Sequence, residues 1–277
     1  MRSIGLGWFA SVLAISLARP VATHADPGTG DAAAGKGKSL ACAACHITSD
    51  PASEAPRLSG QHAGYLAGQL EAFKRGDRAN PLMNAVARQL SSVDIANLAA
   101  FWSGQPAGAG VDDALWPPAA VAAIKRSHMG FPSDFPDGFV LFLTSNIAGQ
   151  NTIRKTYINK IGFQAARAHK PLPDGSVILV IVCAARLGAD HKPVLDKDNR
   201  WVIEKITSYA GMEARAGWGR DIPELLRNAN WNYTMFTAGK VPRAEQSQAV
   251  CLACHKPQAA VSYLFSFNEL QDKASGP

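Results

Sequence analysis

The chain has 277 residues, of which 47% are hydrophobic and 18% are charged, and its formal net charge is +6. This composition is typical of a soluble globular protein that is long enough for one large domain or two ordinary ones. No dense run of Lys and Arg is present, which argues against a nucleic-acid partner.

Residues 1–25 have the pattern of a secretory signal. Arg2 precedes an apolar run over residues 4–18, and a small-residue site follows at 23–25. We expect cleavage before Asp26, which would leave a net charge of +4 and place the protein in the periplasm. The apolar run is shorter than the roughly 20 residues that span a bilayer, and a retained membrane anchor is the alternative. No later stretch predicts a membrane span.

Four of the five cysteines lie in two copies of Cys-x-x-Cys-His, at 42–46 and 251–255. This is the attachment motif of c-type haem, in which both thiols add to the haem vinyl groups and the histidine binds the iron. The predicted residues are Cys42, Cys45 and His46 in the first motif and Cys251, Cys254 and His255 in the second. The sequence therefore predicts two covalently bound c-type haems.

Three other uses of the motif fit the sequence less well. A zinc site needs a further ligand cluster, a redox Cys-x-x-Cys needs a βαβ context, and a disulfide leaves each histidine unexplained. The fifth cysteine, Cys183, lies in the apolar run "SVILVIVCAAR" and is predicted to be a buried thiol.

Two helices are predicted after the first motif. Residues 61–75 carry an apolar stripe at helical spacing, and Gly76 follows as a stop. Ser91 opens a Ser-x-x-Asp capping signal, and the helix after it has one apolar face. The stretch "NPLMNAVARQL" lies between the two helices.

Residues 31–105 resemble a small class I cytochrome c. The resemblance is carried by the attachment motif and by "PRLSGQ", "YLAGQLEAFKRGDR", "LMNAVARQLS" and "DIANLAAFWSG". It implies an all-α domain in which a thioether on a loop binds the iron opposite the histidine, and Met83 occupies that place. A packing role is the alternative for Met83. His62 is a candidate substitute ligand, and a residue on the helix surface is the simpler explanation for it. An iron with His and Met ligands has no vacant position, which suits electron transfer.

Residues 106–129, which include "QPAGAGVDDALWPPAA", are rich in Pro, Gly and Ala and show no helical or strand period. They predict a linker. The chain then divides into a signal peptide at 1–25, a class I domain at 26–105, this linker, and a second haem domain at 130–277.

The second half is predicted to consist mainly of strands. "DGFVLFLTSN", "DGSVILVIVCAAR", "RWVIEKITSYAG" and "NWNYTMFTAG" are rich in β-branched and aromatic residues, and turn clusters separate them. A helical segment is predicted at about 155–169, and a last helix should carry residues 251–255. The expected class is α+β with an antiparallel sheet. Because only 22 residues follow His255, residues before Cys251 must form its pocket.

This half resembles the cytochrome P-460 family, which includes the β-sheet cytochromes c′. The resemblance spans roughly residues 130–273 and rests on "PDGSV", "GMEARAGWGRDIPELLRNANWNYTMF" and "CLACHKPQAAVSYLFSFNEL". It implies a five-coordinate haem with an open position that oxidises hydroxylamine or binds nitric oxide, and it also implies a homodimer.

The resemblance suggests further site residues. In the oxidising branch of the family a lysine is joined to the haem rim, and Lys170 and Lys160 are candidates that lie offset from the expected position. Glu213 and Arg215 are candidates for acid–base chemistry, with exposed strand charges as the alternative. Met212 is a candidate for closing the iron, with a core position as the alternative.

Together these features predict a periplasmic dihaem cytochrome with a redox partner protein and a small nitrogen ligand. Whether it is an enzyme stays open. One alternative is a non-enzymatic protein that binds or senses nitric oxide, and another is a plain dihaem electron carrier.

Overall fold

The computed structural model describes residues 30–46, 55–107, 113–244 and 246–276. The predicted signal segment at 1–25 lies outside these ranges. Within them, no helix has the length and apolar character needed to cross a membrane.

The N-terminal region is all-α, as predicted. Its helices are α1 (Ala32–His46), α2 (Ala63–Arg75), α3 (Pro81–Ala87) and α4 (Ser92–Ser103). Helices α1 and α4 cross at Gly35, where a Cβ atom would lie 2.0 Å from the carbonyl oxygen of Asn97. A larger residue does not fit, so glycine permits this close crossing. The buried core beside it includes Leu40, Leu66, Ile95, Leu98, Phe101 and Trp102.

Local capping signals in this region are confirmed. Gly76 ends α2 in the left-handed conformation, with φ of 87°. Ser91 Oγ accepts a hydrogen bond from Asp94 N at 3.1 Å, and Asp94 Oδ2 accepts one from Ser91 N at 3.0 Å. This reciprocal pair is the predicted capping box. Lys38 adds an ion pair to Asp94 at 2.6 Å.

The segment predicted as an irregular linker contains helix α5 (Pro118–Lys125). Proline at the first helical position and the alanines that follow favour this short helix. Before it, the indole of Trp116 donates to Ser39 Oγ on α1 at 3.1 Å. At its other end, Gln248 Nε2 donates to the Ala123 carbonyl at 2.6 Å. The segment is therefore packed against both halves of the chain.

The C-terminal region contains a five-stranded antiparallel sheet in the order β1-β2-β3-β4-β5. Its elements are β1 (Phe139–Ile147), β2 (Thr152–Asn159), α6 (Lys160–Arg167), β3 (Val177–Ala185), β4 (Ile203–Ala214), β5 (Trp231–Thr237), α7 (Ala249–His255) and α8 (Phe267–Ser275). The α+β class and the last helix are confirmed. Cys183 on β3 is buried, as predicted.

The predicted helical segment at 155–169 is wrong at its start. Residues 155–159 belong to β2, which pairs with both β1 and β3. These two pairings satisfy the backbone groups of a stretch whose apolar pattern alone does not distinguish helix from strand. Asn159 then begins α6, where its Oδ1 accepts from Gly162 N at 3.1 Å.

The two faces of the sheet carry different cores. On one face, strand residues pack with helices α7 and α8; this set includes Ile158, Ile178, Met212, Tyr233, Leu252 and Leu270. The opposite face is covered by the segment after α5, and its cluster contains Met129, Val177, Leu179, Tyr209 and Phe236. Successive side chains along a strand point to opposite faces of the sheet. A strand residue therefore belongs either to the face toward α7 or to the opposite face.

Candidate haem-binding sites

The first motif occupies the C-terminal end of α1. The Nδ1 atom of His46 lies 2.6 Å from the carbonyl oxygen of Pro56. A carbonyl oxygen only accepts, so Nδ1 carries the proton and Nε2 is left with its lone pair. A histidine oriented in this way is prepared to bind a metal through Nε2.

The second motif occupies α7 and has the same arrangement. His255 Nδ1 donates to the carbonyl oxygen of Tyr263 at 2.7 Å. The backbone that presents this carbonyl is unusual, because Ser262 and Tyr263 both have positive φ, at 56° and 59°. Ser262 Oγ accepts from Leu172 N at 2.9 Å, which ties the loop to the chain after α6. The strained turn is thus held in place by a buried contact.

Burial affects the pKa of the two histidines and of two cysteines in the motifs. Burial lowers the pKa of His46 and of His255, and the hydrogen bonds to backbone carbonyls raise it by less. Both imidazoles are therefore neutral near pH 7, which is the form that binds metals. Burial also raises the pKa of Cys42 to about 12 and that of Cys251 to about 11.

The donor sets fit c-type haem. All five cysteines lie in the described ranges, and none of them forms a disulfide. Within those ranges there is no cluster of three or more His, Cys, Asp or Glu residues that could hold a metal ion. A structural zinc site usually takes four such donors. Two thiols and a neutral imidazole with a free Nε2 match the attachment chemistry of c-type haem instead.

The two motifs are near each other in the fold. Helix α7 packs against α1, which carries the first motif, and against α3, which carries Met83. This contact joins the two attachment sites through neighbouring helices. No local signal in the sequence predicts it, because more than 200 residues separate the motifs.

Met83 lies in a short helix rather than on the loop that the resemblance implies. Asn80 Oδ1 accepts from Met83 N at 3.0 Å and caps α3. Asn84 Nδ2 donates to the Phe73 carbonyl at 2.6 Å, which holds α3 against α2. Met83 is half-buried, whereas His62 is exposed just before α2. Iron binding by Met83 stays a prediction.

Glu213 and Arg215 lie away from His255. Glu213 pairs with Val177 across β3 and β4, and Val177 belongs to the cluster on the opposite face from α7. Glu213 is buried and accepts a hydrogen bond from Arg215 Nε at 2.5 Å. The Arg215 guanidinium lies 5.5 Å from the ring centroid of Trp218. The structure brings these two residues together, but not with His255, and their acid–base role stays a prediction.

Met212, one residue earlier, lies on the face toward α7. It is buried, and it pairs with Tyr233 across β4 and β5. Lys160 and Lys170 are both exposed, at the start of α6 and just after its end. The Lys170 backbone N–H donates to the Ala165 carbonyl at 3.0 Å. A crosslink from either lysine stays a prediction.

The residues that surround the two histidines are not predicted by the sequence. The acceptors on Pro56 and Tyr263 are backbone carbonyls, which have no signature in a single sequence. The Tyr233 ring lies 4.8 Å from the His255 ring, and the Phe265 ring lies 4.9 Å from it. Trp231 and Tyr233 are aromatic residues at alternate positions of a predicted strand, and this pattern is the sequence signal that points to Tyr233.

A neutral histidine with a free Nε2, directly after a Cys-x-x-Cys pair, is the ligand set of a c-type cytochrome. Comparisons with known proteins agree. The N-terminal region is 43% identical over 81 residues to cytochrome c-554(548) of Halomonas halodenitrificans, and this alignment covers 27% of the chain and 98% of that protein. The sequence profile of the cytochrome P460 family matches residues 132–266.

Two other relatives match over part of their length. Cytochrome c4 of Pseudomonas aeruginosa is 38% identical over 86 residues, which is 30% of this chain and 43% of that protein. A protein named thiosulfate dehydrogenase electron acceptor, from Thiomonas intermedia, is 28% identical over 142 residues, or 48% of this chain and 62% of its own length. The chain thus spans less than two thirds of either relative.

The chain belongs to the class I cytochromes c through its N-terminal domain and carries a cytochrome P460 domain in its C-terminal half.

Proposed function

We propose that this chain is a periplasmic dihaem cytochrome with divided roles. The N-terminal domain exchanges electrons with a redox partner protein. The C-terminal domain binds, oxidises or reduces a small nitrogen species, hydroxylamine or nitric oxide. When bound, a c-type haem supplies an iron that changes oxidation state and that takes an external ligand where a coordination position is free.

The observation that carries the proposal is the difference in ligand supply between the domains. In the N-terminal domain His46 is oriented by Pro56, and Met83 is available as a second donor on α3. In the C-terminal domain His255 is oriented by Tyr263, and residues 256–277 contain no Met or His. The donor on the facing sheet is Met212, whose side chain belongs to the apolar core. An iron bound by His255 alone would keep a position for a ligand.

Electron transfer by the N-terminal domain is supported by its relatives. One of them is named as the electron acceptor of thiosulfate dehydrogenase, and two others are cytochromes. The packing of α7 against α1 and α3 supports electron exchange between the two domains within one chain. The periplasmic location rests on the signal pattern at 1–25, and a homodimer is proposed by resemblance to the P460 family alone.

The apolar face of the sheet supports ligand binding in the C-terminal domain. Ile158, Ile178 and Met212 are buried in the apolar cluster on the face of the sheet that packs with the C-terminal helices. A small uncharged ligand such as nitric oxide suits such a surface, since it needs no charged partner. Oxidation of hydroxylamine would be favoured if Lys170 or Lys160 proved to be joined to the haem.

The test is the absorption spectrum of the ferrous protein with and without nitric oxide. We expect nitric oxide to bind wild-type protein at one site, that of His255. Met83→Ala should lower the reduction potential of the N-terminal site and open a second site for nitric oxide. His255→Ala should abolish the first site and leave the spectrum of the His46 site unchanged. Met129→Ala, which removes a methionine from the segment that covers the other face of the sheet, is the control for Met83→Ala.

The alternatives give different results. If nitric oxide binds Met83→Ala but not wild-type protein, the chain is a plain electron carrier. Met212→Leu then shows whether Met212 closes the second iron. Tight nitric oxide binding without turnover of hydroxylamine or nitric oxide would identify a binding or sensing protein. Peptide mass mapping of the haem-loaded chain checks Lys170 and Lys160 for a crosslink.

A further inference from the structure

The imidazole of His255 has two aromatic neighbours that differ in solvent exposure. The Tyr233 ring meets it at 4.8 Å with an interplanar angle of 42°, and the Phe265 ring meets it edge-on at 4.9 Å and 66°. Tyr233 is 4% exposed, whereas Phe265 is 56% exposed. A buried ring in a packed core keeps one rotamer, and an exposed ring does not have to. The imidazole of His255 therefore keeps its contact with the Tyr233 ring, whereas the Phe265 ring is free to adopt other rotamers.

Tyr233 is attached to helix α7 at both of its ends. Its backbone N–H donates to Gln248 Oε1 at 2.9 Å, immediately before α7 begins. Its hydroxyl accepts from Asn228 Nδ2 at 2.9 Å, and the same Nδ2 donates to the Leu252 carbonyl inside α7 at 3.0 Å. Asn228 and Gln248 are both buried, so these bonds are shielded from water.

The hydrogen bond from His255 to Tyr263 leaves one freedom of the imidazole undetermined. It specifies which nitrogen carries the proton and where Nδ1 lies. It does not prevent the ring from rotating about the line that joins Nδ1 to the carbonyl oxygen. The buried Tyr233 ring, whose centroid lies 4.8 Å from that of the imidazole at an angle of 42°, restricts that rotation, because the rings would collide.

We propose that Tyr233 is a positioning residue that sets the plane of the His255 imidazole, and that Asn228 and Gln248 hold Tyr233 to α7 for this purpose. The inference rests on the proposed binding of iron by His255. Its consequence is that the imidazole keeps a well-aligned hydrogen bond to Tyr263. A well-aligned bond at Nδ1 makes Nε2 a stronger donor and stabilises the ferric state.

The experiment compares Tyr233→Leu with Tyr209→Leu in the haem-loaded protein. Tyr209 is equally buried but belongs to the cluster on the opposite face of the sheet. For Tyr233→Leu we expect the iron–histidine stretching band of the ferrous protein to broaden and move to lower frequency. The reduction potential of the C-terminal site should rise. Tyr209→Leu should lower the melting temperature but change neither signal.

Two further variants separate the ring from its attachment. Tyr233→Phe keeps the ring and removes the hydroxyl, so its shift should be smaller than that of Tyr233→Leu. Asn228→Ala leaves Tyr233 itself unchanged and should shift both signals in the same direction. Asn228→Ala also tests the role of Tyr233 if the Tyr233→Leu variant does not fold.

The inference is overturned if Tyr233→Leu and Asn228→Ala lower the melting temperature while the band and the potential stay at their wild-type values. Tyr233 would then be a core residue only. A failure of the proposed function is distinct, because wild-type protein would then show no iron–histidine band from a five-coordinate iron. In that case the potential of the C-terminal site still tests the role of Tyr233.

Discussion

The two Cys-x-x-Cys-His helices share one local arrangement within two unrelated folds. In each, the histidine donates from Nδ1 to a backbone carbonyl a short distance along the chain, at Pro56 for His46 and at Tyr263 for His255. The surroundings differ, since α1 packs in an all-α domain and α7 faces an antiparallel sheet. A backbone carbonyl thus orients the histidine in both helices, and the fold around each helix differs.

That difference is the basis for assigning different roles. The all-α domain presents a methionine on a capped helix, and a thioether ligand favours electron transfer. The sheet presents apolar strand residues toward α7, while its acidic candidate, Glu213, lies on the other face. The same chemical motif can therefore serve electron transfer in one domain and ligand binding in the other.

The largest effect is expected from removal of one attachment site at a time. Cys42→Ala with Cys45→Ala should remove one covalent haem and leave the other, and Cys251→Ala with Cys254→Ala should do the reverse. The reason is that each pair of thiols belongs to its own helix. Mass spectrometry of the intact protein measures the loss. Cys183→Ala is the control and should keep both haems. Loss of both haems from a folded chain would contradict independent sites.

A second test destabilises only the all-α domain. Gly35→Ala places a Cβ atom against the carbonyl oxygen of Asn97, which forces α1 and α4 apart. We expect a cost of about 1–3 kcal/mol in the free energy of unfolding, or more, because overpacking distorts the helix crossing. Thermal unfolding followed at the N-terminal haem band measures it.

Gly37→Ala is the matched control for this variant. Gly37 lies in the same helix with no atom within 4 Å of its added Cβ, so the substitution should stabilise α1 by about 1 kcal/mol. Equal effects of the two substitutions would show that the helix crossing does not depend on Gly35.

A third test weakens the connection between the domains. Gln248→Ala removes the acceptor for Tyr233 N and the donor to the Ala123 carbonyl, and both groups would stay buried. The expected cost is about 1–3 kcal/mol, since buried polar groups lose their partners. Denaturant unfolding measures it. The exposed Gln246 gives the control, Gln246→Ala, which should change stability by less than about 0.5 kcal/mol.

The smallest effect concerns a helix cap that has no counterpart at α7. Ser91→Ala removes the side-chain acceptor of the capping box of α4 and should cost about 1 kcal/mol. Ser92→Ala, one residue later and also exposed, should be close to neutral. Chemical denaturation of both variants compares them. A larger cost for Ser92→Ala would show that the cap is misassigned.

Much of the chain could be predicted from short stretches of sequence. The attachment motifs, the glycine stop at Gly76 and the capping box at Ser91 each depend on residues within one or two helical turns. The β-branched and aromatic residues of four of the five strands predict those strands. These features are local, so the residues that determine them are neighbours in the sequence.

Only the tertiary structure decided which residues meet at the sites. The register between β3, β4 and β5 places Met212 and Tyr233 toward α7 and Glu213 away from it. Pairing with β1 and β3 also makes residues 155–159 a strand, although their sequence pattern predicts a helix. Loop backbones present the carbonyls of Pro56 and Tyr263, and backbone carbonyls are the same at every residue. Such contacts join segments far apart in the chain through packing and register, and no single segment contains that information.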